Sequence, residues 1–420
     1  MGIAGRTTRT TAGPVDLAVL PTGIQDVVTI RGSVDTDPGS PASELVQDWM
    51  VRTLDRGSQS RDRFEIASIL ENLGAQVGFS GSGSRIRMSA RCLRKDLPTV
   101  VELLFEQLCR PALDSPELAK SRDRLAASIQ RGIADAGYRA NVALSQAVYN
   151  PLHPNYIPLP AEEDRALREA TEGDARAAHA HLLKGRPRLV IVGDVDPDAC
   201  VDLVARASGD WAGQERGPVM PPGKKQKPVT ETVEIADRDN LEVRWGHALD
   251  ITRMDDDFLP AYLASFILGG NFSARLMNEI REKRGLTYGI GSGLRGIDSR
   301  YPGMWRIQVT LSQENLEYGI DATEAVVREF ADGGVTDEEL ADKKTTLAGS
   351  FKVRLATTAG LAGALLQQME DGRDLSWVDS YPARVEGCSL ESVNEVIGRR
   401  FDPAQLSRIV AGTLPKPVGA

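Results

Sequence analysis

The strongest constraint on how this chain folds is that it carries its own second copy. The segment RIRMSARCLRKDL at 85–97 matches RIQVTLSQENL at 306–316, and SPELAKSRDRLAAS at 115–128 matches TDEELADKKTTLAGS at 336–350. Both pairs lie about 220 residues apart. A glycine-bounded turn, LGAQVGFSGSG (73–83), answers RGLTYGIGSG (284–293) at an offset about ten residues shorter, which fits a longer hairpin over 295–304. A period this long is no solenoid repeat, so the physical reading is two homologous domains. Each copy mixes strands with runs of amphipathic helix. The expected fold is therefore α+β: two duplicated domains, each an antiparallel-rich sheet with helices packed on one face. Residues 213–230 (GQERGPVMPPGKKQKPVT) concentrate Gly, Pro and Lys and read as a linker. They divide the chain into domains at 1–212 and 231–420.

Within the first copy, residues 1–14 read as a loose lead-in and 27–31 as a strand. Helices are expected at 42–54, 61–73, 97–108, 116–133 and, for the most part, 161–183. Strands are expected at 75–80, 85–91 and 188–192. The net charge of −9 argues against a nucleic-acid or anionic-membrane surface. No window approaches 18 uninterrupted apolar residues, so no membrane partner is expected. The N-terminus lacks the apolar run of a secretory signal, and Cys92, Cys109, Cys200 and Cys388 show no paired spacing. Both point to a cytoplasmic protein with reduced thiols, with a periplasmic one, its leader removed, as the alternative.

Four histidines are too few and too scattered for most metal or nucleophile constellations. His179 and His181 sit about 200° apart on a helix, which is wrong for one metal. The GDVDP turn at 193–197 is turn chemistry, and GFSGSGS at 78–84 opens no helix, as a dinucleotide loop would.

The most informative stretch is LGGNFSARLMNEIREKRGLTYGI at 268–290. Gly269 and Gly270 open a loop, and Asn271 or Ser273 is placed to cap a helix over 274–284. Gly285 stops that helix, and a strand is expected next, with Leu286, Tyr288 and Ile290 on one face. Arg281 falls at the edge of the helix's apolar stripe, with Tyr288 seven residues on. Spacing alone favours a snorkelling arginine and a half-buried strand tyrosine over a paired site.

This stretch resembles the pitrilysin/insulinase family of zinc peptidases, in the short-chain branch that includes the mitochondrial processing peptidase subunits. Further landmarks agree in order: HPNYIPLPAEEDRAL (153–167), RPRLVIVGDVDPDAC (186–200) and DEELADKKTTLAGSF (337–351). Active members carry H-x-x-E-H on the first long helix, two zinc-binding histidines and a general-base glutamate, with a third glutamate ligand on a later helix. With Gly57-Ser58 aligned to the family's Gly-Thr pair, the motif falls on Asp48-Trp49-Met50-Val51-Arg52. No glutamate lies between Glu117 and Glu162, where the third ligand belongs. The resemblance therefore implies no metal and no cofactor in this chain.

Arg281 and Tyr288 do match the family's Arg/Tyr pair, which holds the substrate backbone near the zinc of a facing domain. The resemblance implies a non-catalytic subunit of a heterodimeric metallopeptidase, inactive alone. It would supply Arg281, Tyr288, the loop Gly269, Gly270, Asn271, Phe272 and Ser273, and half of a peptide chamber to an H-x-x-E-H partner that carries the zinc. The alternative from another class is a pseudo-peptidase homodimer acting as a peptide-binding or scaffold protein.

Overall fold

The computed structural model describes residues 2–37, 39–213 and 227–414. Most of the expected 213–230 linker lies outside the described residues. The strands, in chain order, are β1 (Thr8–Ala12), β2 (Val15–Pro21), β3 (Val27–Asp35), β4 (Gln76–Ser82), β5 (Arg85–Leu93), β6 (Pro187–Gly193), β7 (Thr230–Glu234), β8 (Asn240–Ala248), β9 (Ile290–Arg295), β10 (Met304–Ser312) and β11 (Ser407–Gly412). They form two sheets, ordered β1-β2-β6-β3-β5-β4 and β7-β11-β8-β10-β9. Every ladder is antiparallel except β2 with β6 and β7 with β11. Without β1 the two sheets have the same strand order, so the duplication read from sequence is a duplication of topology. The longer hairpin expected in the second copy is the 296–303 connection between β9 and β10.

The chain condenses into two compact units. The first comprises 1–128, 161–219 and 350–381, and the second 129–160, 220–349 and 382–420. Neither is a continuous half of the sequence. In the first unit, helices Leu97–Cys109 and Pro197–Ala207 pack against the sheet. Helix Thr358–Asp371, from the second half of the chain, lies on Ala18, Leu20, Val190 and Val192. Leu17, Val19, Leu189 and Ile191 alternate with those residues and are equally buried. The sheet is thus covered on both faces, which is why β2 and β6 read as continuous apolar runs.

In the second unit, Val243, Trp245, Trp305, Ile307 and Val309 form the buried face. Phe401 meets Trp305 edge-on at 4.9 Å between ring centroids. On the opposite face helix Ala136–Val148, from the first half of the chain, packs Ala140, Leu144 and Val148 against Met304, Ile409 and Ala411. Each unit therefore takes one covering helix from the other half, and the two helices occupy equivalent places in the repeat. A helix's apolar stripe says that it is covered, not which sheet covers it.

The N-terminus is ordered, contrary to the lead-in expected there. Helix Ile3–Arg6 is tied by the Ile3 and Ala4 amides to the Asp379 carboxylate, at 2.7 and 3.0 Å, and β1 follows. TRTTA is polar because β1 is an edge strand with one buried residue, Ala12. The 161–183 region is two helices, Pro160–Glu169 and Glu172–Leu182. They are separated by a capping box in which Thr171 and Asp174 exchange hydrogen bonds.

Candidate functional site

The 268–290 stretch lies wholly in the second unit. Helix Phe258–Gly269 delivers the loop, so Gly269 ends this helix before the turn begins. A Cβ on Gly269 would stand 2.3 Å from the Ser292 amide nitrogen, and one on Gly270 would stand 2.3 Å from the Phe266 ring. The glycines are required by close packing of the helix end on β9 and on itself. Asn271 then caps the turn: its Oδ1 accepts from the Ser273 amide and hydroxyl, both at 3.0 Å.

The helix expected over 274–284 is present over 275–282, but from Met277 to Glu282 it is π-helical. The Lys283 amide reaches the Asn278 carbonyl, five residues back, at 3.0 Å, and the Leu286 amide reaches Ile280 at 3.1 Å. Leu276, Met277 and Ile280 are buried, a spacing that suits an α-turn and a π-turn equally. The wider turn turns Arg281 away from its α-helical register. Its guanidinium carbon lies 5.3 Å from the centroid of the Phe272 ring, and its Nε lies 3.5 Å from the Glu282 carboxylate.

The strand expected over 286–290 starts only at Ile290, and Tyr288 does not share a face with Leu286 and Ile290. After Gly285, at φ +65°, the Thr287 hydroxyl donates to the Thr310 carbonyl at 2.7 Å and accepts from the Gly289 amide at 3.1 Å. This side-chain turn replaces the strand ladder. It buries Leu286 and Thr287 and leaves Tyr288 97% exposed. No hydrogen bond joins Tyr288 to Arg281 or to any other described residue, and Phe272 is 73% exposed. The stretch therefore presents an arginine stacked on an exposed phenylalanine and a tyrosine hydroxyl open to solvent.

Sequence reasoning missed what holds this loop. Glu339 and Lys343 lie one turn apart on helix Asp337–Arg354, in the DEELADKK landmark. Glu339 takes Arg275 in a bidentate ion pair, with Nη2 at 2.6 Å, and accepts from the Thr336 amide at 2.9 Å. Burial opposes charge on Glu339, but the hydrogen bonds from Arg275 and Thr336 outweigh it and hold the carboxyl below its ordinary range. Lys343, 6% exposed, donates to the Ser273 carbonyl at 3.1 Å and hydroxyl at 2.6 Å. Two charged side chains at i and i+4 thus fix both ends of Ser273-Ala274-Arg275. That spacing was the available signal.

In the first unit, helix Pro41–Val51 carries the residues aligned with the zinc motif. The two positions where histidines would stand hold an ion pair, Arg52 Nε to Asp48 Oδ2 at 2.9 Å. At the base position Val51 is buried. Trp49, also buried, donates its indole N–H to the Leu118 carbonyl at 2.9 Å, and the Arg122 guanidinium lies 5.8 Å from its ring centroid. Burial, with Asp48 and Glu163 nearby, pushes the Glu44 carboxyl up to about 7 against the hydrogen bond from Gly83. An ion pair, a valine and an arginine-topped tryptophan form no zinc donor set. The residues present do not fit the metal.

The sequence profile described as the peptidase M16 inactive domain matches residues 175–347. A Helicobacter pylori relative named non-peptidase homolog YmxG is 21% identical, over 83% of this chain and 79% of its own. A Streptomyces coelicolor relative named an uncharacterized zinc protease is 22% identical, over 95% and 88%. Over residues 175–347, therefore, the chain matches the inactive domain of the peptidase M16 family. Among solved structures, the peptidase M16 inactive domain from Pseudomonas fluorescens superposes with a TM-score of 0.86 at 21% identity, covering 98% of both chains. The Escherichia coli periplasmic protease PqqL gives 0.81 at 15% identity over 99% of this chain and 46% of its own. A Bacillus subtilis relative named probable inactive metalloprotease YmfF is 20% identical, over 72% of this chain and 70% of its own. None of its described helices is long and apolar enough to cross a membrane.

Proposed function

We propose that this chain is the zinc-less, non-catalytic subunit of a heterodimeric metallopeptidase, cytoplasmic, whose H-x-x-E-H partner carries the zinc. One contrast supports the reading. The positions aligned with the metal motif are filled by the Asp48–Arg52 ion pair and buried Val51, while Tyr288 stands 97% exposed with no partner beside a loop anchored by Lys343 and Glu339. In this reading Arg281 and Tyr288 donate hydrogen bonds to a peptide carbonyl where negative charge develops at the partner's site. Gly269, Gly270, Asn271, Phe272 and Ser273 form the surface beside them.

The test is metal content and native mass of the purified chain, alone and co-expressed with an H-x-x-E-H homologue. The reading requires a zinc-free chain alone and a one-to-one complex with zinc and peptidase activity. In that complex Arg281→Ala and Tyr288→Phe lower turnover without dissociating it. A stable homodimer that ignores every such homologue, with or without affinity for peptides, refutes the heterodimer.

A further inference from the structure

On the face of the second sheet that carries helix Ala136–Val148, Arg306 of β10 lies between two glycines, Gly246 of β8 and Gly293 of β9, in the cross-strand register. No side chain from either neighbour covers it. Arg295, at the end of β9, folds back instead. Its guanidinium atoms lie 3.6 Å from where a Cβ on Gly293 would stand, directly across from Arg306. The fold thus places two guanidinium groups together above a glycine gap.

Their surroundings do not neutralise them. Arg306 donates to Asn141 Oδ1 at 3.1 Å and Gln308 Oε1 at 2.8 Å, both neutral. Arg244, which also donates to Asn141 Oδ1, takes the Glu242 carboxylate at 2.8 Å, and Glu242 accepts Thr310 as well. Arg295 and Arg306 have no carboxylate partner among the described residues. Burial, then Arg295 and Arg244, lower Arg306 to about 10, the direction expected for a cation that lacks a counter-charge. Like charges brought together in this way are stabilised by an anion placed between them. The planar forks of two arginines match a carboxylate.

We infer that Arg295 and Arg306, above the Gly293 gap and with the Asn141 amide beside them, form a carboxylate-binding site for a peptide. This inference rests on the peptide-binding reading and names the class of peptide: one bearing a carboxylate, from an acidic side chain or its own C-terminus.

The experiment is fluorescence anisotropy on the full chain with three labelled peptides. One carries two glutamates, one has glutamine in their place, and one is the glutamate peptide with an amidated C-terminus. Binding to wild type should favour the glutamate peptide about tenfold over the glutamine peptide, with the preference weakening as salt is raised. Arg295→Gln, at an exposed position, should erase most of that preference, and Arg306→Gln should do the same. Arg281→Ala should weaken all three peptides alike. Loss of affinity on amidation rather than on glutamine substitution assigns the site to the C-terminal carboxylate. Equal binding of all three to wild type, or a preference untouched by Arg295→Gln, overturns the carboxylate site and leaves the peptide-binding reading standing. Failure of wild type to bind any of them overturns the carboxylate site, while the heterodimer reading stands or falls on the one-to-one complex.

Discussion

Acidification from pH 7 to pH 5 should destabilise the second unit by about 2 kcal/mol through His153 alone. His153 is 5% exposed, stacked on Tyr149 at 4.2 Å between ring centroids and edge-on to Tyr301 at 5.9 Å. Its Nδ1 accepts from the Asn155 amide at 3.0 Å, which requires that nitrogen to be unprotonated. Burial lowers its pKa from the ordinary 6.5 to about 4. A base whose pKa is lowered on folding binds fewer protons in the folded state. Its stabilisation is complete above about 6.5 and is lost as pH falls toward 4, reaching roughly 3 kcal/mol in full. Urea unfolding read by hydrogen exchange in β8 and β10, at pH 5, 6 and 7, isolates the second unit. His153→Gln should remove about 2 kcal/mol of the difference between pH 7 and pH 5 relative to wild type. Equal pH dependence in the two proteins, or a His153 imidazole titrating near 6.5 by NMR, would refute the argument.

Glu44, in the first unit, should act in the opposite direction. Its pKa is raised to about 7, so its contribution is complete below about 4.5 and lost as pH rises through 7. Glu44→Gln should flatten the pH profile of the β2 and β6 amides and stabilise them at pH 8 by on the order of 1–2 kcal/mol. Lys343→Met leaves Ser273 without its anchor, and Glu339→Gln weakens the hold on Arg275. Both should speed exchange across 270–289 while the first unit's amides are unchanged, with a cost to the second unit's stability of about 1–3 kcal/mol. Gly269→Ala drives a Cβ into the Ser292 amide and should cost about 2–3 kcal/mol in thermal unfolding. Gly285→Ala, with open space around it, should cost only about 1 kcal/mol for its positive φ. Equal losses for the two glycines would show that the close approach to β9 is not what Gly269 provides.

The duplication and the fold class were legible because matched stretches of alternating strand and amphipathic helix recur in order, and packing preserved that pattern in both copies. The composition of each unit was not legible, since helices Ala136–Val148 and Thr358–Asp371 carry apolar faces that would suit either sheet. Arg281 and Tyr288 were singled out by their match to the family's Arg/Tyr pair, and their local settings differ from those expected. The spacing of Leu276, Met277 and Ile280 does not distinguish an α-turn from a π-turn, and the Thr287 hydroxyl competed with the strand ladder expected for Tyr288. Glu339 and Lys343 were in view as a landmark without a chemistry until their partners on the loop were known. The glycines of GIGSG read as a turn, whereas Gly293 leaves open the space beside Arg306.

The reciprocal exchange of covering helices sets a timetable for synthesis. The last strand of the first sheet, β6, ends at Gly193, but the helix that lies on Ala18, Leu20, Val190 and Val192 is Thr358–Asp371, about 165 residues later. At about 5–20 residues per second, that apolar face waits on the order of ten to thirty seconds on the ribosome. Helix Ala136–Val148 leaves the ribosome early and waits for β11 in turn. Neither half is a folding module, so severing the chain between 213 and 230 should yield two fragments that dissolve and fold only in each other's presence.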